Sequence, residues 1–380
     1  MSTFTYLDHA ATTPMRREAT DAMMPFLSER FANPSGSHRF AREARKVVDE
    51  ARDLVAAILG CLPGEAIFTS GGTEADNTAI LGIVARRGGV AVCPAAEHHA
   101  VLASVEQVHG TVVPVGPDGA VDVEALATVL RATADVSVVS VMSVNNEIGT
   151  ITDIAKVAAV VRRHAPAAAL HTDAVQAPCW LDLRDVTPHV DLLSLSAHKF
   201  GGPKGVGVLV AKQGVGFAPM VIGGGQERER RSGTHNVAGI VALAEALRLT
   251  DADRIEENAR LRVLRDRLVD ALIAELPGVH ESVPRDRKVA GSAHICIDGI
   301  ENEALLFLLD EAGVYASAAS ACASGAMEPS HVLAAMGVPR TRALGALRLT
   351  LGRTTTVADV DRGVDAVVCA VRRLRSKVLS

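Results

Sequence analysis

Between about residues 46 and 250, the sequence alternates short runs of β-branched residues with segments that have helical spacing. The clearest runs cover 66–69, 90–93, 136–141, 169–172, 190–194 and 206–210. Strands that alternate with helices in this way are joined by crossover connections. We therefore expect an α/β fold here, with a mainly parallel sheet and helices on both of its faces.

The pattern changes after residue 250. A long charged helix over 251–276 is followed by a strand-like segment around 289–298, a helix over 302–312, a strand-like segment over 314–317 and a closing helix near 356–374. This order predicts a smaller α+β domain. We expect a large domain over 15–255 and a small domain built from 1–14 and 256–380.

The composition narrows the class of protein further. The chain has 380 residues, only 3% of them aromatic, so it can hold two or three domains with aliphatic cores. Its net charge of −5 argues against direct nucleic-acid or membrane partners, because those need clustered Lys and Arg. We find no apolar run near the ~20 residues of a membrane span and no signal-peptide pattern, and we expect a cytoplasmic protein.

The six cysteines form no CxxC pair, which argues against a disulfide framework and against a common zinc site. We expect most of them to be buried small hydrophobic residues. Cys322 differs because it lies within a run of small residues over 316–330. An exposed thiol in such a segment suits a nucleophile, although an ordinary loop cysteine is the alternative.

Residues 69–77 (TSGGTEADN) end a strand and open a helix through two glycines. Backbone N–H groups at a helix N-terminus bind anions, and the Thr73 hydroxyl adds a donor, so Gly72 and Thr73 are candidate phosphate-binding residues. An ordinary turn capped by Thr73 explains the same pattern.

Residues 191–205 (DLLSLSAHKFGGPKG) hold the candidate for covalent chemistry. Lys199 follows an apolar strand, and desolvation lowers the pKa of a lysine enough to make it a Schiff-base nucleophile. Lys204 is the fallback, and a solvated surface charge is the alternative. Asp173 ends another strand, where it can pair with a cationic ring nitrogen or cap a following helix.

His98 and His99 follow Glu97 at a predicted strand-to-helix junction. Acidic and thiol partners at zinc spacing are missing, so we expect no resident metal here. His98 can instead stack on an aromatic cofactor and relay protons. A hydrogen-bonded polar residue at the start of a helix is the alternative for both histidines.

A phosphate-binding helix start, a carboxylate at the end of a strand and a Schiff-base lysine, in this order along the chain, suit pyridoxal phosphate. At these residues the chain resembles the cysteine desulfurases of the NifS/IscS type, within the class V aminotransferases. The matching motifs are YLDHAATT (6–13), NPSGSH (33–38), TSGGTE (69–74), EH (97–98), VNNEIG (144–149), DAVQ (173–176), SAHK (196–199), GGGQER (223–228), RSGT (231–234), SAC (320–322), EPSH (328–331) and RLTLGR (348–353).

The resemblance implies a pyridoxal-phosphate transferase of fold type I, with a seven-stranded, mainly parallel sheet. Lys199 would hold the cofactor as an internal aldimine and act as the base at Cα, Asp173 would keep the pyridine nitrogen protonated, and His98 would stack on the ring. The other implied cofactor contacts are Gln176 and Asn146 at the ring, and Gly72, Thr73, Ser196, His198 and the partner subunit's Thr234 at the phosphate.

The resemblance also implies a reaction. Arg348, Asn146 and Asn33 would bind L-cysteine, and Cys322 would take its sulfur as a persulfide, leaving L-alanine. A homodimer would pass the sulfur to acceptor proteins, often iron–sulfur scaffolds. No resident metal is implied; at most, Cys322 contacts an iron–sulfur cluster transiently.

Two positions depart from the family pattern, since Ala197 and Ala319 stand where glycine is usual. Losing a glycine restricts the backbone, which bears on how the Cys322 segment moves. One alternative is a selenocysteine lyase, aminotransferase or epimerase without a persulfide step. Another is a sulfur carrier or scaffold that keeps the fold without turnover, against which the joint presence of Lys199, Asp173 and His98 argues.

Overall fold

The computed structural model describes residues 4–318 and 329–378. Within them, the strands are β1 (Thr5–Tyr6), β2 (Ala66–Thr69), β3 (Val90–Pro94), β4 (Thr111–Val113), β5 (Val136–Ser140), β6 (Ala169–Asp173), β7 (Leu192–Ser196), β8 (Gly207–Ala211), β9 (Val279–Glu281), β10 (Ser292–Ile297), β11 (Val314–Tyr315) and β12 (Ala346–Thr350).

The helices within the same residues connect and cover these strands. They are α1 (Arg17–Met23), α2 (Pro25–Ser28), α3 (Arg39–Leu59), α4 (Gly72–Arg87), α5 (His99–Gln107), α6 (Val123–Ala132), α7 (Ile154–His164), α8 (Leu183–Val186), α9 (Val237–Glu275), α10 (Asn302–Glu311), α11 (His331–Ala335), α12 (Arg340–Ala343) and α13 (Val357–Val378).

Seven strands form the main sheet in the order β2-β8-β7-β6-β5-β3-β4. The pairs from β7 through β4 are parallel, and β8 is antiparallel to both of its neighbours. Every residue of β5, β6 and β7 is buried, as expected for strands covered by helices on both faces. The predicted α/β fold with a mainly parallel seven-stranded sheet is confirmed.

Helix α3 illustrates how the layers pack. Its buried residues Ala41, Ala44, Val48, Ala51 and Val55 recur every three or four positions, which aligns them on one face of the helix. The helix ends at Gly60, whose φ of +69° is the left-handed conformation that closes many helices and that glycine adopts without strain.

A second hydrophobic cluster lies around the three-stranded antiparallel sheet β12-β10-β9 and helices α10 and α13. Leu7 belongs to this cluster, because β1 pairs with β11 and Asp8 bridges to Thr350. Residues 9–13 then lie beside the end of β7, where the N–H of Thr13 donates to the carbonyl oxygen of His198 at 3.1 Å. The N-terminal stretch thus packs against both hydrophobic clusters, through Leu7 and Met15, and the division into two domains stays a prediction.

The charged helix predicted over 251–276 begins earlier than the sequence pattern indicates. Helix α9 is continuous over 39 residues from Val237. Its first part, through Leu247, packs into the core of the main sheet, whereas Leu261 to Leu272 pack into the second cluster. One helix thus changes its surroundings partway along, and the boundary expected at residue 255 falls inside it.

The described cysteines are less uniformly buried than predicted. Cys93 and Cys296 are buried, Cys61 and Cys179 are half-buried, and Cys369 is exposed on α13. Burial raises the pKa of the Cys61 and Cys179 thiols to about 12. Among the described helices, none combines the length and the apolar character needed to cross a membrane.

A buried ion pair holds the turn after β8 against the main sheet, and its removal should destabilise the fold. Glu227 bonds Arg52 at 2.7 Å, His235 at 2.8 Å and the N–H of Phe68 at 3.0 Å. We expect Glu227→Ala to lower the free energy of unfolding by about 3 kcal/mol, because the half-buried Arg52, His235 and the N–H of Phe68 all lose their acceptor. Denaturant titration measures this, with the exposed Glu229→Ala as control.

The same contacts set the pH dependence of this contribution. Burial raises the pKa of Glu227, but the hydrogen bonds from His235 and Arg52 outweigh it and lower the pKa to about 2. The stabilisation is therefore complete above the ordinary carboxyl pKa and is lost as the pH falls toward 2. A Glu227→Ala variant as stable as the control would contradict this account.

Candidate active site

A cleft of about 540 Å³ opens beside the carboxyl ends of β6 and β7, where open α/β sheets bind ligands. Ten residues assigned to the site by the resemblance line it, together with the fallback lysine Lys204 and the N-terminal segment at residues 10 and 11. The ten are Gly72, Thr73, His98, Asn146, Asp173, Gln176, Ser196, His198, Lys199 and Arg348.

Lys199 follows β7 directly, and its amine lies against the N-terminal segment. Its Nζ donates to the carbonyl oxygens of Ala10 at 2.7 Å and Ala11 at 2.8 Å. Burial and the nearby charge of Arg348 lower the pKa of Lys199 to about 8. More of the amine is therefore neutral near physiological pH than in an exposed lysine, which favours its use as a nucleophile or base.

Asp173 is the last residue of β6 and is buried. Its Oδ1 accepts the N–H of Val175 at 2.8 Å, and burial raises the pKa of its carboxyl. No helix follows it directly, since the next one begins at Leu183. The helix-capping alternative is therefore wrong, and the carboxyl faces a site where a cation would favour its ionised form.

His98 precedes α5 and caps it. The N–H of Ala100 donates to His98 Nδ1 at 3.1 Å, so this ring nitrogen must carry a lone pair. Burial lowers the pKa of His98, which favours the neutral ring with its proton on Nε2. His98 thus combines the capping role weighed as the alternative with a place in the cleft.

The start of α4 forms the opposite end of the cleft. A Cβ at position 72 would come within 2.6 Å of Val175 Cγ2, so the backbone approaches this closely only with glycine there. Thr73, Ser196 and His198 line the cleft beside this helix start. These donors and the positive end of a 16-residue helix suit a phosphate group.

Arg348, on β12, brings a cation into the cleft from the second sheet. Its Nη2 donates to Asp8 at 2.6 Å and its Nη1 to the carbonyl oxygen of Asn146 at 2.9 Å. Its Nε is buried and has no hydrogen-bond partner among the described residues. A guanidinium cation at the wall of the cleft suits a carboxylate of the substrate.

Two of the predicted residues that the structure describes are not brought into this cleft. Asn33 and Thr234 are exposed and do not line it. Arg231, three residues before Thr234, donates to Glu74 at 2.8 Å and so keeps this segment near the start of α4. Cys322 lies outside the described residues, as does Ala319.

Several residues that complete the site carry no functional signal of their own in the sequence. Asp8 pairs with Arg348, and the carbonyl groups of Ala10 and Ala11 hold Lys199. Buried carboxyls also lie near the cleft residues, Asp76 and Glu97 near Asp173 and Glu147 near Arg348. Asp8, Ala10 and Ala11 belong to the YLDHAATT motif, but the motif does not indicate what they contact. The three buried acids have no sequence signal beyond their place in or beside other motifs.

Comparisons with known proteins agree with this geometry. The model of the family described as aminotransferase class-V matches residues 5–362. The chain belongs to that family. A relative in Mycobacterium tuberculosis, named an IscS-like cysteine desulfurase, is 45% identical and covers 99% of this chain and 98% of its own length.

Two solved structures of related proteins resemble this class V chain. One, called a NifS-like protein, has a TM-score of 0.90 and 33% identity over 97% of this chain and 99% of its own. The other, SspA in complex with cysteine, has a TM-score of 0.78 and 29% identity over 91% of this chain and 98% of its own. The cofactor of this class V protein is pyridoxal 5′-phosphate.

The residues in the cleft fit that cofactor. They supply an amine with a lowered pKa at Lys199, a buried carboxyl at Asp173, a neutral imidazole at His98 and a helix start for the phosphate. Each corresponds to one functional group of pyridoxal phosphate, namely the aldehyde, the ring nitrogen, the ring face and the phosphate.

The contacts of Arg348 predict how substitution affects an amino-acid substrate. Arg348→Lys keeps the charge but loses the planar donors that bind Asp8, Asn146 and a carboxylate together. We expect KM for the amino acid to rise about 10–100-fold, since a charged hydrogen bond contributes ~1.5–3 kcal/mol. Steady-state kinetics measure this, with the exposed Arg353→Lys as control; an unchanged KM would show that Arg348 does not bind the carboxylate.

Proposed function

We propose that this protein is a pyridoxal-phosphate-dependent cysteine desulfurase. It converts L-cysteine to L-alanine, and Cys322 takes up the sulfur as a persulfide. The observation that carries the proposal is the cleft in which Lys199, buried Asp173 and the incompletely paired Arg348 lie together. The names of the relatives support cysteine as the substrate.

Within this cleft, we assign the cofactor contacts by chemistry. Lys199 attaches the cofactor, Asp173 pairs with the ring nitrogen, His98 lies on the ring face, and Gln176 and Asn146 lie at the ring edge. The phosphate is bound by Gly72, Thr73, Ser196 and His198, and by Thr234 of the partner subunit. The exposure of Thr234 supports its use by another copy of the chain.

Arg348 binds the carboxylate of the substrate, with Asn146 beside it and Asn33 as a further substrate contact. The place of Arg348 in the cleft supports this assignment, because a guanidinium group binds a carboxylate through charge-assisted hydrogen bonds. The ion pair with Asp8 orients the guanidinium group before the substrate arrives. Arg348 thereby places the substrate's Cα beside Lys199.

Pyridoxal phosphate, when bound, withdraws electrons from the substrate and makes its Cα proton acidic. Lys199 takes that proton, which its lowered pKa favours. His98 holds its own proton on Nε2, since Nδ1 accepts from Ala100, and this N–H can donate a hydrogen bond within the cleft. Lys199 thus moves the Cα proton, and His98 supplies a hydrogen-bond donor beside it.

The sulfur step needs one thiolate. The Cys322 sulfur bonds to the substrate sulfur as the C–S bond breaks, and the carbon gains a proton; cysteine and one thiol thus become alanine and one persulfide, with no oxidant. Burial raises the pKa of Cys61, Cys93, Cys179 and Cys296, which leaves them poor nucleophiles. This supports Cys322 as the acceptor.

We further propose that the protein acts as a cytoplasmic homodimer. It delivers sulfur from Cys322 to acceptor proteins, including scaffolds for iron–sulfur assembly. The dimer follows from the assignment of Thr234 to the neighbouring subunit's phosphate site. Delivery to a protein follows from holding sulfur on a side chain rather than releasing it to solvent.

The test is product stoichiometry. The holoenzyme is incubated with L-cysteine and a thiol reductant, and sulfide and alanine are measured together. The proposal predicts equal amounts of both, with none from L-serine. If selenocysteine is cleaved and cysteine is not, the protein is a selenocysteine lyase. If amino groups are transferred without sulfide, it is an aminotransferase.

A further inference from the structure

A chain of hydrogen-bonded polar side chains lies buried beneath the cleft, between the main sheet and α4. His171 of β6 has its Nδ1 2.8 Å from Ser140 Oγ on β5 and its Nε2 2.9 Å from Ser194 Oγ on β7. Ser194 is in turn hydrogen-bonded to the carboxyl of Asp76 on α4. None of these four residues is more than 1% exposed.

The surroundings of this polar chain on the same face of the sheet are apolar. Residues two positions earlier on the same three strands, Val138, Ala169 and Leu192, point to the same side and are buried. They form one hydrophobic cluster with Ala79 and Ile80 of α4. Burying a carboxyl, an imidazole and two hydroxyls in such a layer is costly, and the packing of α4 on the sheet does not require it. The polar chain therefore points to a role in the site above it.

The polar chain adjoins Asp173, the carboxyl assigned to the ring nitrogen of the cofactor. His171 lies two residues before Asp173 on β6, so both side chains point to the same face of the sheet. Ser194 is the register partner of Asp173 on β7, and neighbouring strands lie only about 4.8 Å apart, which brings the Asp173 carboxyl within reach of the serine hydroxyl. In the structure, this hydroxyl instead contacts His171 and Asp76. The Asp173 carboxyl accepts the N–H of Val175.

Asp76 fits this polar chain as a neutral acid. Its Oδ1 is buried, has no hydrogen-bond partner among the described residues and lies 3.6 Å from His171 Nε2, which is beyond hydrogen-bond distance. Burial lowers the pKa of His171 to about 3, so the imidazole supplies no positive charge. Burial and the negative charges of Asp173 and Glu97 raise the pKa of Asp76. A carboxyl buried without a cation in this way keeps its proton.

The proton on Asp76 sets the direction of every hydrogen bond in the polar chain. The Asp76 acid donates to Ser194 Oγ, the partner that the structure gives it. The Ser194 hydroxyl then donates to His171 Nε2, and the Nδ1–H of the same ring donates to Ser140. The hydroxyl proton of Ser194 is thereby directed away from Asp173.

We propose that Asp76 is a positioning residue that acts through Asp173: by directing the Ser194 hydroxyl elsewhere, it leaves the Asp173 carboxylate to the ring nitrogen of the cofactor. The inference rests on the proposed function, because it requires Asp173 to pair with that nitrogen. A hydrogen bond from Ser194 would stabilise the carboxylate and weaken its hold on the ring-nitrogen proton. The cofactor would then withdraw electrons from the substrate less strongly. Asp76 itself touches neither substrate nor cofactor in this role.

Three variants separate this role from packing. Asp76→Asn keeps a donor for Ser194, because a side-chain amide carries N–H groups. Asp76→Leu removes the donor, so His171 takes its place by donating its Nε2–H to Ser194. The serine hydroxyl then turns to Asp173, whose charge makes it the stronger acceptor. The double variant Asp76→Leu with Ser194→Ala also removes the hydroxyl and so frees Asp173 again, whereas a role in packing alone predicts no recovery.

Two measurements on the holoenzyme test the inference. The nitrogen NMR shift of pyridoxal phosphate, isotopically labelled at its ring nitrogen, reports the protonation of that nitrogen without turnover. Exchange of the Cα proton of L-alanine in heavy water reports electron withdrawal, and it needs neither sulfur nor Cys322. We expect Asp76→Leu to move the shift toward the unprotonated ring and to slow exchange about tenfold. Asp76→Asn and the double variant should keep the wild-type shift and exchange within threefold of wild type.

Thr78→Val is the matched control. Thr78 is also buried on α4, but its hydroxyl donates to the carbonyl oxygen of Glu74 in the same helix, so its loss should change neither readout. An Asp76→Leu variant with the wild-type shift and exchange rate, or a double variant without recovery, overturns the inference. An unprotonated ring nitrogen in the wild type overturns it as well.

A second variant keeps the test decisive. If Asp76→Leu does not fold, His171→Leu replaces it, because it removes the acceptor of the Ser194 hydroxyl and should have the same effect and the same recovery with Ser194→Ala. Wild-type holoenzyme that releases no sulfide from L-cysteine contradicts the proposed function. The nitrogen shift and the exchange of L-alanine then decide the role of Asp76 separately.

Discussion

Lys199→Ala should lose turnover of L-cysteine by ~10³-fold or more, because one residue both attaches the cofactor and moves the Cα proton. The amine that donates to Ala10 and Ala11 is absent in this variant, and the other described lysine in the cleft, Lys204, is exposed. We also expect the cofactor to be removed by gel filtration, whereas the wild type retains it. Absorbance after desalting and sulfide release measure the two effects.

The control for this variant is Lys212→Ala. Lys212 donates to the carbonyl oxygen of Pro188 and does not line the cleft, so its loss should change neither cofactor retention nor rate. Addition of a small primary amine should restore part of the Lys199→Ala rate, since an external base replaces the missing one. A Lys199→Ala variant that retains cofactor and turns over at the wild-type rate would make another residue the attachment point.

Cys322→Ala should reduce sulfide release at least ~100-fold while leaving cofactor binding intact. The described residues that hold the cofactor and the substrate carboxylate are unaffected by this change. The visible absorbance of the cofactor should therefore still respond to added L-cysteine. The variant lacks only the thiol that accepts sulfur. It should therefore bind L-cysteine but not transfer its sulfur.

Cys369→Ala is the matched control for the cysteine variant. Among the described thiols, Cys369 is the exposed one, and it lies on α13, outside the cleft. We expect its sulfide release to match that of the wild type. Equal sulfide release from Cys322→Ala would favour a lyase-type reaction without a persulfide on the protein.

The main sheet could be predicted from the sequence because its strands are buried on both faces. Such strands consist of continuous runs of β-branched residues, as β5 does. Strand β4 has only three residues, and all three residues of β9 are half-buried. Neither strand therefore shows the alternation of apolar and polar residues by which a strand is detected in a sequence. Helix α9 was predicted too short because its first part is packed by apolar residues and only its second part is charged. The change from apolar to charged sequence along α9 reflects a change in what the helix packs against, and it was interpreted as the start of a new helix.

The site was predictable where chemistry and local motif coincide. Lys199, Asp173 and Gly72 each sit at the end of a strand or the start of a helix, and the structure brings them into one cleft. The pairs of residues that join distant parts of the chain around the site were not predictable in this way. The pairs Asp8–Arg348 and Glu147–Ser330 join residues 340 and 183 positions apart, so only the folded chain reveals them.

The most direct test of the account is the mass of the Cys322 peptide after one turnover. Holoenzyme is mixed with L-cysteine carrying labelled sulfur, without reductant, then alkylated and digested. The account predicts that the label adds one sulfur atom to the peptide containing Cys322 and to no other cysteine peptide, in step with alanine formation. Alanine formed with the label absent from Cys322, or present on Cys369 instead, would contradict it.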